Sequence, residues 1–549
     1  MRKLVLVLAI VAALGALLWM NRMELIMRGP GVIGRLVDPV GENVPVVWEA
    51  GPAEAPSGPR PPNVIVIVAD DLGYNDLTFG GGGIANGAVP TPNIDGIARA
   101  GVEYTRGYSG NATCAPSRAA IMTGRYPTRF GFEFTPAPKP FMRLVAWMRR
   151  NEPLPPIYFE DREASVPPLA DQGVPASEIT LAELLRERGY RTLGLGKWHL
   201  GESAQFHPNQ QGFDEYLGFP QGASLFMEED DPRVVNSKQD FDPIDKFLWA
   251  NLAFSVRKDG GKRFAPDAYM TDYLAREAAR AIETNKHRPF FLYLAFNAPH
   301  TPLQALKSDY DALPQIENHT LRTYAAMIRA LDRGVGEVLG ALRANGLEEN
   351  TLVFFTSDNG GANYVGLPDL NKPYRGWKMT FFEGGIRTPF FAQWPKQIPA
   401  GTRFHTPAAH VDIFATAAGA AGAPLPSDRT IDGVDLVKLA RGEAQGRAHA
   451  AIFWRSGHYR TILADDWKLQ VSERPNKTWL FDLASDPTER TNLVDARPDK
   501  VAELAAILAE HESQMVLPAW PALIEGPMPL DRTLNAPHVE GEEYVYWAN

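Results

Sequence analysis

The segment Asn63-Val-Ile-Val-Ile-Val-Ala-Asp-Asp71 indicates the fold class of the whole chain. Its continuous β-branched run predicts a strand that is covered on both faces, as in a parallel sheet. Downstream, helical periodicity alternates with short apolar runs, which is typical of a doubly wound α/β domain. We predict helices over residues 92–101, 177–189, 269–286 and 320–346, and strands over residues 192–194, 290–296 and 351–356.

Polar residues follow the predicted strands. In an open α/β sheet, ligands bind beyond the carboxyl ends of the strands, so these positions are the first candidates for a site. The strand ends lead into Asp70-Asp71, Lys197-Trp-His199, Asn297-Ala-Pro-His300 and Ser357-Asp-Asn359. Acids, amides, a lysine and two histidines are therefore expected at one edge of the sheet.

The acids among these residues predict a cation site. Adjacent carboxylates repel each other unless a cation neutralises them, and Asp70, Asp71, Asp358 and Asn359 offer only hard oxygen ligands. Such ligands favour calcium or magnesium over zinc. An isolated Asp-Asp pair is more typical of a helix cap or a solvated turn, but its recurrence at a second strand end favours the metal.

Cys114 is the only cysteine, which excludes an intramolecular disulfide framework and a cysteine-based zinc or iron–sulfur site. Pro116 and Gly124 predict the first turn and the end of a helix. Cys114 then lies at the helix N-terminus, which favours anions, and Arg118 follows one turn later on the same side. A small, buried apolar cysteine is the alternative.

Composition excludes several classes of protein. The 549 residues include 55 Lys and Arg against 65 Asp and Glu, and the net charge of −10 argues against a protein that coats nucleic acid. Hydrophobic residues at 45% and charged residues at 22% are typical of a globular chain, and the length allows two to four domains.

The N-terminus predicts export to a periplasmic or extracellular location. Arg2 and Lys3 precede an apolar run over residues 4–20, so residues 1–21 form a cleaved signal peptide or an uncleaved signal anchor, which would associate the protein with a membrane. Residues 22–62 are rich in Gly and Pro and are predicted to be a spacer. The large domain covers residues 63–446. Residues 447–549 form a smaller unit, with strands over 450–454, 459–463, 467–471 and 478–482 and a helix over 500–515.

Two further segments have open interpretations. Residues 141–150 predict an amphipathic helix that contacts a membrane, lines the mouth of a pocket or docks on the body, and we favour docking. The aromatic residues Trp520, Tyr544, Tyr546 and Trp547 either stack on a leaving group or close the small domain.

Cys114-Ala-Pro-Ser-Arg118, followed by Thr123-Gly-Arg125, resembles the type I sulfatase signature. The resemblance continues through Gly194-Leu-Gly-Lys-Trp-His-Leu-Gly201, Gly212-Phe-Asp-Glu-Tyr216, Ala298-Pro-His300, Ser357-Asp-Asn-Gly360, Glu383-Gly-Gly-Ile-Arg-Thr-Pro389 and Leu480-Phe-Asp-Leu-Ala-Ser-Asp-Pro487. The chain is identified as a member of this formylglycine-dependent family in the alkaline phosphatase superfamily. The resemblance implies an α/β fold with a large mixed sheet sandwiched by helices, and a smaller C-terminal antiparallel sheet with a helix.

The resemblance also implies an arylsulfatase-like hydrolase acting on a small-molecule or glycan sulfate monoester, with an alcohol or phenol and inorganic sulfate as products. Cys114 would be converted to Cα-formylglycine by a formylglycine-generating enzyme. One oxygen of the hydrated aldehyde would attack sulfur, and the other would lose its proton so that the hemiacetal expels sulfate.

Further site residues follow from the resemblance. The residues that resemble the family's calcium ligands are Asp70, Asp71, the formylglycine from Cys114, Asp358 and Asn359. Arg118 and Lys197 would hold the diol and the sulfate, His199 would accept the proton during sulfate release, and Lys378 with His300 would bind the sulfate and assist the leaving oxygen. Outside these motifs, such lysines would be solvated charges and such histidines satisfied polar groups. Ser224, where the chain departs from the family pattern, is a further candidate near the leaving group.

Three other functions compete with the sulfatase prediction. A phosphonate or phosphate ester hydrolase of the same superfamily would use a related formylglycine site. A non-catalytic anion-binding module would retain unmodified Cys114, and a structural surface protein with a relic domain would not need that residue at all.

Overall fold

The computed structural model describes residues 22–443 and 446–549. Its strands are, in chain order, β1 Asn63–Ala69, β2 Val102–Tyr104, β3 Gly107–Tyr108, β4 Ile157–Tyr158, β5 Arg191–Lys197, β6 Glu215–Phe219, β7 Val234–Ser237, β8 Arg257–Lys258, β9 Phe290–Ala295, β10 Leu303–Leu306, β11 Thr351–Ser357, β12 Phe390–Gln393, β13 Thr402–Phe404, β14 Ala408–Ala409, β15 Ala451–Ser456, β16 Tyr459–Ala464, β17 Trp467–Glu473, β18 Asn476–Asp482, β19 Ile524–Pro529 and β20 Tyr544–Ala548. The helices are Arg22–Val37, Ile84–Gly87, Pro92–Ala100, Cys114–Thr123, Lys139–Met148, Leu181–Glu187, Pro243–Asn251, Met270–Thr284, Lys307–Asp311, His319–Ala344, Glu383–Ile386, Val411–Ala420, Leu436–Ala440 and Pro498–Glu512.

The main sheet has the strand order β13-β2-β12-β11-β1-β9-β5-β6-β8. Its central strands β11, β1, β9, β5 and β6 are parallel, whereas β12 and β8 pair antiparallel with their neighbours. β1 occupies the middle of the sheet, where Val64 lies opposite Leu352 on one side and Phe291 on the other. The predicted α/β fold with a large mixed sheet is confirmed.

Both faces of β1 are buried, as its β-branched run predicts. Ile65 and Ile67 belong to the core that includes the helices Met270–Thr284 and His319–Ala344. Val64, Val66 and Val68 point to the opposite core, which contains the helices Cys114–Thr123 and Val411–Ala420. Helices therefore cover the sheet on both sides, and the carboxyl end of β1 emerges between the two layers.

Two predicted elements differ most in length from the observed ones. The helix expected over residues 177–189 spans only Leu181–Glu187, because Thr180 caps it and exchanges hydrogen bonds with Glu183. The strand expected over residues 192–194 extends over Arg191–Lys197. Glycine is unfavourable inside a strand, so Gly196 gave no indication in the sequence that the strand continues. The structure requires glycine at this position, because it has φ 92° and an added Cβ would lie 1.9 Å from the Ala295 carbonyl oxygen.

The C-terminal part contains the antiparallel sheet β15-β16-β17-β18. The helix Pro498–Glu512 places Leu504 and Leu508 on the apolar face of this sheet. β19 pairs with β20 and with β4, so the chain end closes a second small sheet. The Trp547 ring lies 5.1 Å from the Phe381 ring in a buried cluster that includes residues from both the large domain and the C-terminal part.

Within residues 22–62, predicted to be a spacer, a few residues contact the body while most are exposed. Asn251 donates a 2.7 Å hydrogen bond from Nδ2 to the Met27 carbonyl in the helix Arg22–Val37. Trp48 is buried, and its Nε1 donates to Glu277 at 3.1 Å. Val46 and Trp48 supply the apolar contacts that the Gly- and Pro-rich composition concealed.

The amphipathic segment around residues 141–150 forms the helix Lys139–Met148 and docks on the body, as we favoured. Met142 and Val145 are buried, and the Phe141 ring lies 4.8 Å from the Phe247 ring. No helix within residues 22–443 or 446–549 is long and apolar enough to span a bilayer. The predicted signal segment, residues 1–21, lies outside the described residues.

Candidate active site

The carboxyl ends of neighbouring parallel strands bring the predicted acids together. Asp70 and Asp71 follow β1, and Asp358 and Asn359 follow the adjacent strand β11. The Asp71 N–H donates to Asp358 Oδ1 at 3.1 Å, and the Asn359 Nδ2 donates to Asp71 Oδ1 at 2.8 Å. All four side chains are buried. The strand ends therefore form one compact oxygen-rich cluster, as predicted.

Cys114 begins the helix Cys114–Thr123, directly beside this cluster. The preceding Thr113 is extended, with φ −140° and ψ 153°, and the helix ends at Gly124 in the left-handed region at φ 67°. The Cys114 Sγ lies 3.4 Å from Asp70 Oδ1 and 3.7 Å from Asp71 Oδ1. The sequence prediction of a cysteine at a helix N-terminus within the site agrees with this geometry.

Two buried cations pair with the acids on one side of the cluster. Lys197 Nζ lies 2.8 Å from Asp70 Oδ2. Arg118 donates from Nε to Asp358 Oδ2 at 2.8 Å, and its Nη1 donates to the Lys197 carbonyl at 3.0 Å. Arg118 thus binds the backbone of Lys197, and both cations contact Asp70, since Arg118 Nη2 lies 3.7 Å from Asp70 Oδ1.

On the other side of Cys114, Lys378 completes the cluster. Its ammonium lies 2.9 Å from Asp71 Oδ2, 3.2 Å from Cys114 Sγ and 3.5 Å from His300 Nε2. The His300 Nδ1 lies 2.5 Å from the Thr301 carbonyl oxygen and so carries a hydrogen, which leaves Nε2 of the neutral ring as an acceptor. Lys378 and His300 therefore face residue 114 together.

His199 lies in the same site without a close ion pair. It is buried, and the charges of Lys197, Arg118 and Lys378 all act on it. An added Cβ at Gly222 would lie 2.7 Å from His199 Nε2, so this glycine permits the close approach of a loop to the ring. His199 has φ 63°, Asp71 has φ 62°, and such left-handed non-glycine residues are typical of functional sites.

Burial and neighbouring charge shift the pKa values of these groups in different directions. Burial, and then the Asp70 carboxylate, raise the pKa of Asp358 to about 6. For Asp71, burial opposes ionisation, but Lys378 and the other cations outweigh it and lower the pKa. Burial raises the pKa of the Cys114 thiol, and burial lowers the pKa values of His199 and His300. An unmodified Cys114 is therefore a protonated thiol, not a thiolate nucleophile.

The donor set fits a hard cation. One ligand atom each from Asp70, Asp71, Cys114 and His300 lie within 4.8 Å of one another. The Asn359 Oδ1 is buried without a hydrogen-bond partner, although Nδ2 of the same amide has two. An unpaired buried carbonyl oxygen beside clustered carboxylates is a ready ligand for a cation that prefers oxygen.

The structure does not bring Ser224 into the cluster. Its hydroxyl is engaged with the carbonyl oxygens of Leu225 and Ala253, both at 3.0 Å. Conversely, sequence reasoning missed Tyr364, whose hydroxyl donates to Asp71 Oδ2 at 2.8 Å. A single tyrosine four residues after a motif carries no sequence signal of its own.

A second missed feature lies behind the helix Cys114–Thr123. Buried His410 is 3.0 Å from the Ser117 hydroxyl through Nδ1 and 2.9 Å from the Thr356 hydroxyl through Nε2. Burial, and then Arg118, lower the pKa of His410 to about 3, so the ring is neutral. It joins the helix of Cys114 to the strand that ends at the metal-binding candidates.

Comparison with known proteins agrees with this geometry. Residues 62–423 match the family described as Sulfatase, and residues 375–515 match N-sulphoglucosamine sulphohydrolase, C-terminal. The chain belongs to the sulfatase family. It is an enzyme, a sulfuric ester hydrolase, whose substrate is a sulfate ester.

Individual relatives of this sulfatase cover most of its length. It is 32% identical over 511 residues to N-acetylgalactosamine-6-sulfatase of Mus musculus, covering 85% of this chain and 89% of the relative. Identity to steryl-sulfatase of Mus musculus is 34% over 477 residues, covering 74% of this chain and 69% of that protein. The solved structure of Ps i-CgsB in complex with k-i-k-neocarrahexaose has a TM-score of 0.69 and 33% identity, covering 84% of this chain and 95% of that one.

Proposed function

We propose that this sulfatase cleaves its ester through a Cα-formylglycine formed from Cys114, with one calcium ion in the cluster of Asp70, Asp71, Asp358 and Asn359. The observation that carries the proposal is the position of Cys114, whose Sγ lies 3.2 Å from Lys378 Nζ and 3.4 Å from Asp70 Oδ1. Oxygens of a hydrated aldehyde at the same position would lie between the acids and the cations.

Calcium fits the residues present. The ligands offered are carboxylates and an unpaired amide oxygen, which suit a hard cation. Asp70, Asp71, Asp358 and Asn359 would hold the ion together with an oxygen of residue 114. When bound, calcium offsets the charge of the clustered carboxylates and favours an ionised oxygen on residue 114.

Two groups of residues around residue 114 have different roles in the bond-breaking step. Arg118 and Lys197 would orient the diol and the sulfate oxygens. The ionised diol oxygen attacks sulfur, the bond between sulfur and the alcohol oxygen breaks, and that oxygen takes up a proton from the Lys378 ammonium, with neutral His300 beside it. The contacts support these roles, because Lys378 Nζ lies 3.5 Å from His300 Nε2, whereas Lys197 Nζ lies 2.8 Å from Asp70 Oδ2.

Release of sulfate would follow on the same residue. His199 accepts the proton of the second hydroxyl, the carbon–oxygen bond to sulfate breaks, and the aldehyde forms again. Burial, and then the charge of Lys197, lower the pKa of His199, so the ring is neutral and able to accept a proton.

We infer that the substrate is a sulfated saccharide. Support comes from N-acetylgalactosamine-6-sulfatase, 89% of which is covered, and from the oligosaccharide complex of Ps i-CgsB, 95% of which is covered. Steryl-sulfatase represents the competing substrate class, at 34% identity with 69% covered in Mus musculus and at 29% identity with 89% covered in Homo sapiens.

Mass spectrometry of peptide 107–118 from protein made in its native host tests the modification first. We expect the mass of an aldehyde in place of the Cys114 thiol, and hydrolysis of sulfated sugars and aryl sulfates that is lost in Cys114→Ser. Unmodified cysteine in fully active protein would contradict the mechanism. Faster turnover of an aryl phosphate or phosphonate than of any sulfate ester would contradict the preference for sulfur.

We also propose that the protein is exported, matured by a formylglycine-generating enzyme and either released or tethered to the membrane by residues 1–21. The support is the basic pair Arg2 and Lys3 before an apolar run. N-terminal sequencing of protein from the membrane and soluble fractions of the native host distinguishes an uncleaved anchor from a cleaved peptide.

A further inference from the structure

Tyr364 contacts two groups of the site at once. Its hydroxyl donates to Asp71 Oδ2 at 2.8 Å and lies 3.1 Å from Lys378 Nζ. A phenol has a single hydrogen to donate, so the bond to Asp71 leaves its oxygen as an acceptor toward the ammonium. The direction of both hydrogen bonds is therefore determined.

The Lys378 ammonium has three hydrogens, and its three nearest acceptors lie closer than His300 Nε2 at 3.5 Å. Asp71, Cys114 Sγ and the Tyr364 hydroxyl surround its ammonium at 2.9, 3.2 and 3.1 Å. We infer that Tyr364 is a positioning residue for sulfate-ester cleavage, because its hydroxyl holds the Lys378 ammonium over residue 114. This inference rests on the proposed function, in which Lys378 acts on the leaving oxygen.

The chemistry of a phenol suits this role better than that of a second carboxylate. A carboxylate at this position would form another ion pair with Lys378 and reduce the positive charge available to the substrate. A neutral hydroxyl orients the ammonium without adding a second negative charge to that of Asp71. Tyr364 is half-buried in the site, where such a hydrogen bond is stronger than in water.

The backbone holds the two residues on one loop. Tyr364 lies in the turn Asn363–Val365, whose Asn363 carbonyl accepts a 3.0 Å hydrogen bond from the Leu534 N–H. The Lys378 N–H donates to the Gly361 carbonyl at 3.1 Å. The Lys378 Nζ also lies 5.7 Å from the Tyr364 ring centroid. Tyr364→Phe thus retains the ring and its packing and removes only the two hydrogen bonds.

A leaving-group series tests the inference. An ammonium aimed at the leaving oxygen matters most when that oxygen develops the most negative charge, that is, for poor leaving groups. In Tyr364→Phe we expect kcat/KM to fall about tenfold for a sulfated sugar and for an aryl sulfate with a poor leaving group. The loss should shrink for nitrophenyl sulfates with good leaving groups.

Tyr374→Phe is the matched control on the same loop. The Tyr374 ring packs at 4.8 Å on the Tyr74 ring and beneath Arg387, so removal of its hydroxyl should leave the whole series unchanged. Formylglycine content by mass spectrometry and the melting temperature are measured for each protein. Calcium titration by calorimetry should give the same affinity in Tyr364→Phe as in the wild type.

The outcomes separate the inference from the proposed function. Unchanged rates in Tyr364→Phe, an equal loss for every leaving group, or a loss that parallels weaker calcium binding would each overturn the positioning role. Inactivity of fully converted wild-type protein toward every sulfate ester would overturn the proposed mechanism, and the inference with it.

Discussion

The Lys378 ammonium lies 3.2 Å from the sulfur of Cys114, although 264 residues separate the two in the chain. The contact forms because the loop after β11 returns over the N-terminus of the helix Cys114–Thr123. The Met379 N–H donates to the Ala112 carbonyl at 2.8 Å, next to this contact. Residue 114 is therefore enclosed by acids on one side and by a buried cation on the other.

Lys378→Met should reduce kcat/KM for an aryl sulfate by about 100-fold to 1,000-fold, because a preorganised cation at developing negative charge is lost. Lys372→Met is the control, since Lys372 lies on the same loop in an exposed pair with Asp369. Steady-state kinetics are compared at equal formylglycine content. A rate close to that of the wild type would remove Lys378 from the mechanism.

Calcium should raise the melting temperature, and a chelator should lower it. At a calcium concentration 100 times the dissociation constant, binding to the native state contributes about 2.7 kcal/mol. Differential scanning calorimetry with calcium, magnesium or EGTA measures the effect. Asp358→Asn retains the shape of the ligand but removes one charge, so we expect a smaller calcium shift. Identical melting in EGTA and calcium would contradict a calcium site in this cluster.

Lys468→Met should destabilise the protein by about 3–5 kcal/mol, because Lys468 Nζ lies 2.9 Å from both Glu383 Oε1 and Glu489 Oε1 in a fully buried cluster. Its loss leaves Glu489 without its cation and Glu383 with only Arg387, at 3.1 Å. Lys307→Met removes an exposed pair with Asp311 and should cost less than about 1 kcal/mol. Urea unfolding measures the loss of unfolding free energy in both variants. Equal losses would show that the buried ion pairs of Lys468 contribute no more than an exposed pair.

The same Lys468 cluster links the C-terminal sheet to the site. Glu383 begins the turn Glu383–Ile386, and the Gly385 carbonyl in that turn accepts from the Gly360 N–H at 3.0 Å. Gly360 follows Asn359 directly. The small C-terminal sheet therefore supports the loop that bears a metal-binding candidate.

The strand ends could be predicted from the sequence because their chemistry is local. A buried parallel strand is apolar throughout, so the first polar residues after it mark the edge where ligands bind. Asp70 and Asp358 follow this rule, and β1 and β11 are adjacent with Ala69 opposite Ser357. Polar residues directly after apolar strands are therefore sufficient to predict where this cluster lies.

Other contacts depend on long-range packing that no local pattern encodes. Ser117 and His410 are 293 residues apart and meet inside the core. Tyr364 has no periodicity, cap or motif of its own, and only the folded loop places it on Asp71. Lys378 could be proposed only from its resemblance to a family motif. The burial of Val46 and Trp48 was missed because two apolar side chains do not stand out in a Gly- and Pro-rich segment.

The free energy of unfolding should fall as the pH rises from about 4 to about 7, because the buried acid Asp76 ionises in this range. Burial raises the pKa of Asp76 to about 7, although its Oδ2 accepts from Tyr324 and from the Gly73 N–H. The folded state therefore binds more protons than the unfolded state in this range. The stabilisation is complete below the pKa of Asp76 in the unfolded chain, and it is lost as the pH rises through the pKa of Asp76 in the folded protein. Three pKa units correspond to about 4 kcal/mol.

Asp76→Asn isolates this contribution, because an amide keeps an acceptor for the same two donors and does not titrate. Chemical unfolding at pH 5 and pH 8.5 should show a steeper loss of stability in the wild type than in the variant. Parallel pH profiles of the two proteins would mean that Asp76 ionises normally in the fold.

Substitution of two glycines should have opposite effects on the stability of the protein. At Gly360, a Cβ would lie 1.9 Å from the Gly384 carbonyl oxygen, so Gly360→Ala must move the loop that carries Asn359. At Gly340, within the helix His319–Ala344, a Cβ meets nothing within 4 Å. Gly340→Ala should therefore stabilise the protein by about 0.5–1 kcal/mol, since alanine loses less backbone entropy in a helix. Melting temperatures and calcium titration distinguish the sites, because only Gly360→Ala should weaken calcium binding. Equal calcium affinity in both variants would show that Asn359 does not depend on this close backbone contact.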